Sequence, residues 1–125
     1  MSHPRNLIAS LLLLFACSPS PGATRDHLDI YFIDVGGGQA TLLVTPKGES
    51  LLIDAGWPGQ GGLDARLGDT PEPRDPARIL AAMRDAGVTK IDILIATHFH
   101  RDHIGGIPEL AQRVPIRTFV DNGSA

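Results

Sequence analysis

Apolar residues between positions 28 and 120 fall into short runs separated by Gly, Pro and acidic residues. LDIYFIDV (28–35), ATLLVTP (40–46) and SLLIDAG (50–56) each read as a strand. The first is apolar on more than one face, through Ile30, Phe32, Ile33 and Val35, and so predicts a strand inside a covered sheet. GGGQ (36–39) and Pro46-Lys47-Gly48-Glu49 break the runs, and short strands with tight turns predict an antiparallel meander. Residues 57–74 are rich in Gly and Pro without a clear period and predict a long loop. DPARILAAMRDAG (75–87) predicts a helix: Asp75 as N-cap, Pro76 in the first turn, Gly87 at C′, and an apolar stripe of Ile79, Leu80 and Met83. IDILIATH (91–98) is a fourth strand, GIPELAQR (106–113) a short helix and IRTFV (116–120) a fifth strand.

The N-terminus has a different pattern. MSHPRN carries Arg5, LIASLLLLFAC (7–17) is a nearly continuous apolar run, and a polar, Pro-rich stretch follows. A charged start, a short apolar core and small residues at its end describe a secretory signal. The run is about half of the ~20 residues a spanning helix needs. Leu14-Phe15-Ala16-Cys17 also resembles a bacterial lipobox, which would place a lipid anchor on Cys17. Residues 1–17 are therefore expected to be a signal peptide or lipoprotein signal, 18–27 a linker and 28–125 the folded domain. The protein is expected to be exported, either to the periplasm or to a membrane surface through that lipid.

Composition narrows this picture only modestly. With 125 residues, 42% hydrophobic and 20% charged, the chain holds one small soluble domain. Its single cysteine excludes an internal disulfide. The net charge of −3 and the lack of basic runs argue against strong nucleic-acid binding by this segment, since phosphate neutralisation needs clustered Lys and Arg.

The candidate chemistry lies in THFHRDHIGG (97–106), which holds three of the five histidines. His98 and His100 are two apart at a strand end, so both side chains can point one way. Asp102 and His103 can reach a neighbouring point through a turn, and Gly105-Gly106 permits close backbone approach. Imidazole and carboxylate together suit zinc, with manganese or iron as alternatives. The glycines at 36–38 are not a phosphate loop, because no Gly-Lys-Ser/Thr follows.

H-x-H-x-D-H after an apolar strand and before Gly-Gly resembles the metallo-β-lactamase superfamily. IDVGGGQATLLVTPKGESLLIDAG resembles the opening strands of its ComEC/Rec2-like metallohydrolase branch. The resemblance implies an α/β fold, the N-terminal half of an αββα sandwich with a mixed β-sheet and flanking helices, incomplete at the C-terminus. It implies two Zn2+ ions per complete domain, His98 and His100 on the first and Asp102 and His103 on the second. Asp102 would be catalytic by orienting a metal-bound hydroxide nucleophile, and Asp54 would orient a ligand imidazole from behind. Two departures stand out. Gln39 replaces an aspartate of the branch pattern, and no histidine follows His103, where the family supplies further ligands. Asp121 is the only later aspartate. Three functions are consistent with this sequence: a metal-dependent hydrolase acting on a small molecule, a nuclease or phosphodiesterase, and a truncated, non-catalytic metal-binding protein.

Overall fold

The computed structural model describes residues 25–58 and 74–123. The signal, lipobox and Cys17 expectations, and most of the 57–74 loop, lie outside the described residues. No helix among the described residues is long and apolar enough to cross a membrane.

Five strands form one sheet in sequence order: β1 (Asp29–Phe32), β2 (Thr41–Val44), β3 (Ser50–Ile53), β4 (Ile91–Ala96) and β5 (Ile116–Asp121). The first three pair antiparallel, as the tight turns predict. β4 then joins β3 in parallel, and β5 joins β4 in parallel. A parallel neighbour requires a crossover, and helix α1 (Arg74–Asp85) supplies it between β3 and β4. Helices α2 (Arg101–Ile104) and α3 (Ile107–Arg113) lie between β4 and β5. The result is the mixed sheet with flanking helices of an α/β fold.

Alternation along the strands decides which side chains meet the helices. Leu42, Val44, Leu52 and Leu94 are buried with Ile79 and Met83 of α1 and Leu110 of α3. Each such side chain contributes roughly 1.5–3 kcal/mol by leaving water. Helix α1 stops where its sequence says it should. Gly87 takes φ +62°, its N–H donates to Arg84 O, and the Val88 N–H donates to Met83 O, which is a Schellman closure. Asp75 does not act as the expected cap. It is buried in the first turn, where its carboxylate accepts the Trp57 N–H at 2.8 Å and pairs with Arg74.

The opposite face of the sheet corrects one expectation. β1 is an edge strand, and Ile30 and Phe32 are 49% and 84% exposed. Ile93 and Val120 are exposed as well. Apolar residues on both faces signalled a covered sheet, yet among the described residues only one face is covered. An open apolar face of this kind calls for a second layer, as in the sandwich that the resemblance implies.

At the end of the sheet away from the histidines, Asp92 locks β4 to β3. Its carboxylate accepts the Ser50 N–H at 3.0 Å and pairs with Lys90 and, at 3.4 Å, Arg117. Hydrogen bonding from Lys90, assisted by the Ser50 backbone, holds the Asp92 carboxyl below its ordinary range. A depressed carboxylate stabilises the fold fully above its unfolded value and loses that contribution as pH falls through its folded value. Asp92→Asn is therefore expected to lower the melting temperature at pH 6 and to flatten the loss of stability as pH falls below the ordinary carboxylate value of about 4. The effect should be about 1 kcal/mol, since Lys90 stays partly open to solvent. Thermal melts across that range check it; parallel wild-type and variant curves would exclude the role.

Candidate metal centre

Parallel pairing places the carboxyl ends of β3 and β4 side by side. The Asp54 N–H donates to Ile95 O at 2.8 Å, which continues the parallel register and sets Asp54 opposite Ala96, the last residue of β4. Asp54 is fully buried and adopts φ +57°, a left-handed conformation that Asp tolerates better than most residues. Its carboxylate accepts three hydrogen bonds. The Thr97 N–H donates to Oδ1 at 2.8 Å, the Thr97 hydroxyl to Oδ2 at 2.7 Å, and His103 Nδ1–H to Oδ2 at 2.7 Å. Bonding at Nδ1 fixes the His103 tautomer and leaves Nε2 with a free lone pair.

β4 ends at Ala96, short of the expected strand end at His98, and the chain bends at Thr97 and His98 before His100, whose φ and ψ are −74° and 148°. Past this bend, His98 Nε2 and His100 Nδ1 lie 3.0 Å apart. The rings of His98 and His103 approach to 4.0 Å between centroids. Helix α2 then carries Asp102 and His103, with Asp102 Oδ2 at 3.6 Å from His103 Nε2. The turn expected here is a short helix.

These separations bear on metal binding. Two ligands on one tetrahedral zinc, each about 2.0–2.1 Å from it, lie roughly 3.3 Å apart. Both pairs, His98 with His100 and Asp102 with His103, fall near that spacing, and the donor set suits zinc. Among the described residues, no three His, Cys, Asp or Glu side chains are grouped to hold one ion. The described residues thus supply two pairs of donors, each short of the three protein ligands usual in a catalytic zinc site.

Two loops support α2 from opposite sides. The Gln39 N–H donates to Asp102 O at 3.1 Å, and the Ala55 N–H donates to His103 O at 2.6 Å. Gly38 is needed for the first contact, since a Cβ there would lie 2.3 Å from Asp102 O. The Gln39 side chain turns away and donates to Thr41 Oγ1 at 2.8 Å. Thr97 and Gly38 are the contributors that sequence reasoning missed. A hydroxyl directly before the first histidine was the available signal for Thr97.

Other candidates fall outside the cluster. Asp34 accepts the Gly36 N–H at 3.2 Å and pairs with Arg78 at 2.9 Å, closing the glycine loop. Asp121 accepts the Gly123 N–H at 2.8 Å in its own turn. Arg101 is exposed. Trp57 is half-buried, its N–H is held by Asp75, and its indole Nε1 is buried without a partner among the described residues.

A mixed sheet ending in this histidine-bearing corner is the architecture of one hydrolase superfamily. Residues 33–123 match the metallo-beta-lactamase superfamily, and the chain belongs to it. It is 51% identical over 59 residues to a hydroxyacylglutathione hydrolase of Rhodopseudomonas palustris, covering 46% of this chain and 22% of that protein. A hydroxyacylglutathione hydrolase of Aliivibrio salmonicida is 41% identical over 44 residues, covering 35% of this chain and 17% of that protein. Endoribonuclease YSH1 of Kluyveromyces lactis is 30% identical over 98 residues, covering 74% of this chain and 11% of that protein. The chain thus spans about a fifth of the hydroxyacylglutathione hydrolases named and about a tenth of the endoribonuclease.

Proposed function

We propose that this protein is an exported, metal-dependent hydrolase whose centre is built on His98, His100, Asp102 and His103. The observation that carries the reading is the buried Asp54 carboxylate, which fixes His103 while His98 and His100 converge beside it. Zn2+ is the ion best suited to the donor set, with Mn2+ or Fe2+ as alternatives. His98 Nε2 and His100 Nδ1 would hold one ion, and Asp102 and His103 Nε2 would hold a second. A bound divalent ion supplies Lewis acidity and activates water at neutral pH. The chain's own residues prepare for that chemistry. Asp54 keeps the His103 lone pair facing outward, and the 39 and 55 backbone amides hold α2 in place. Asp102, 28% exposed, can accept a proton from an incoming water.

Hydrolysis is the chemistry common to the names of the matched relatives, which favours an enzyme over a non-catalytic metal-binding protein. The hydroxyacylglutathione hydrolases support a small-molecule substrate. The endoribonuclease match, which covers 74% of this chain, supports a second reading as a phosphodiesterase, the activity expected of a ComEC/Rec2-like branch. The net charge of −3 weighs against that second reading. Export rests on the apolar run 7–17, and anchoring on Cys17.

His98→Ala and His100→Ala are expected to lose at least one equivalent of metal and to reduce hydrolysis of thioester or phosphodiester probes by 100-fold or more, as order-of-magnitude figures for lost first ligands. Elemental analysis of the purified proteins gives the metal content, and probe turnover separates the two substrate classes. Full metal content in both variants would end the metal-centre reading. Metal binding without turnover of any probe would favour the non-catalytic one.

A further inference from the structure

We propose that Thr97 is a positioning residue, whose hydroxyl passes the polarity of the Asp54 carboxylate on to His98 and so selects that imidazole's tautomer. An ionised carboxylate can only accept hydrogen bonds, and a threonine hydroxyl has one proton. Asp54 Oδ2 lies 2.7 Å from Thr97 Oγ1, so the hydroxyl proton points to Asp54. What remains at Oγ1 are lone pairs. His98 Nδ1 lies 3.0 Å from that oxygen. The contact is a hydrogen bond only if Nδ1 carries the proton, which leaves the His98 lone pair on Nε2. Nε2 is the atom that converges with His100 Nδ1 at 3.0 Å.

The geometry around Thr97 makes this selection firm. Its backbone N–H is held by Asp54 Oδ1 at 2.8 Å, so the residue is gripped at two points and the hydroxyl cannot swing freely. His103 Nδ1 lies 3.5 Å from Thr97 Oγ1 but 2.7 Å from Asp54 Oδ2, so it bonds the carboxylate directly and leaves the hydroxyl to His98. One buried carboxylate thereby orients two imidazoles, His103 by contact and His98 through Thr97. Both end with Nδ1 protonated and the lone pair on Nε2, which in His98 accepts from His100 Nδ1–H in the metal-free chain.

The consequence for metal binding rests on the centre proposed above, but the tautomer does not. It can be measured in the chelator-treated, metal-free chain. Histidine labelled with nitrogen-15, studied at about pH 8.5, where ordinary imidazoles are neutral, reports which ring nitrogen carries hydrogen. Wild-type His98 is expected as the Nδ1–H form, against the preference of free imidazole side chains in water for Nε2–H. Thr97→Val should move His98 toward Nε2–H, and Thr97→Ser should restore Nδ1–H. Zinc affinity, measured by competition with a chromophoric chelator, should fall about 10–100-fold in Thr97→Val and recover in Thr97→Ser.

An Nε2–H tautomer in wild-type His98 overturns the proposal without any variant. So does a Thr97→Val chain in which His98 keeps Nδ1–H, or one whose tautomer shifts while zinc affinity stays unchanged. If the tautomers respond as expected and wild-type protein takes up no zinc, the positioning role stands and the metal-centre reading falls.

Discussion

Asp54→Ala is expected to unfold the corner of the protein that holds the histidines and to abolish metal uptake there. The carboxylate is fully buried and accepts three hydrogen bonds, from the Thr97 N–H, the Thr97 hydroxyl and His103 Nδ1–H. Removing it leaves three part-buried donors without their acceptor, a loss of about 2–3 kcal/mol. Alanine also tolerates φ +57° less well than Asp. Asp54→Asn separates stability from chemistry. Asn accepts the left-handed backbone, and its carbonyl oxygen can still take the Thr97 N–H. Its NH2 group then faces His103 Nδ1, where two donors cannot bond. The imidazole must present a lone pair at Nδ1 and carry its proton on Nε2. The Asn variant should therefore melt within about 1–2 kcal/mol of wild type while losing 10–100-fold in zinc affinity. Calorimetry and chelator competition on both variants check this. An Asn variant with wild-type zinc affinity would show that Asp54 only supports the fold.

That carboxylate matters because of a topological fact that the strand pattern did not display. The residues of β3 and β4 were legible as strands from their apolar runs. The antiparallel order of β1 to β3 was legible from the turns at 36–39 and 46–49. The parallel addition of β4 was not, because apolar residues on both faces say that a strand is buried, not which way it runs. Parallel pairing is what places Asp54 beside Thr97, 43 residues away in sequence. An antiparallel β4 would have put its beginning there. The role of Thr97 was hidden for the same reason, since a lone hydroxyl has no meaning until its acceptor is known. His98 and His100 do meet, as their spacing suggested, but through a bend at Thr97 and His98 rather than along the extended strand that was the reason for expecting it. Covered and open sheet faces, by contrast, look alike in sequence, and Phe32 at 84% exposed is the clearest instance.

Gly106→Ala is expected to be among the most damaging single-methyl additions in the chain. The Gly105-Gly106 pair reads in sequence as a turn needing special dihedrals, but the structure gives another reason. Gly105 and Gly106 have φ of −60° and −79°, ordinary helical values that alanine adopts freely. What alanine lacks at 106 is room. A Cβ there would lie 2.1 Å from Ala55 O, a backbone atom that cannot rotate aside. Ala55 is also the residue whose N–H donates to His103 O at 2.6 Å, and the Gly106 N–H donates to Gly56 O at 3.2 Å. Relieving the clash therefore separates the β3 exit from α2, the same movement that draws His103 away from Asp54. Overpacking of this kind costs about 3 kcal/mol or somewhat more, and metal affinity should fall with it. Gly37→Ala is the matched control. A Cβ at 37 meets nothing within 4 Å, and its cost is the φ of +84° alone, roughly 1–2 kcal/mol, with zinc affinity unchanged. Melting temperature and chelator competition on the two variants decide the matter. Equal loss of affinity in both would place the constraint in the backbone dihedrals rather than in the contact between α2 and the end of β3.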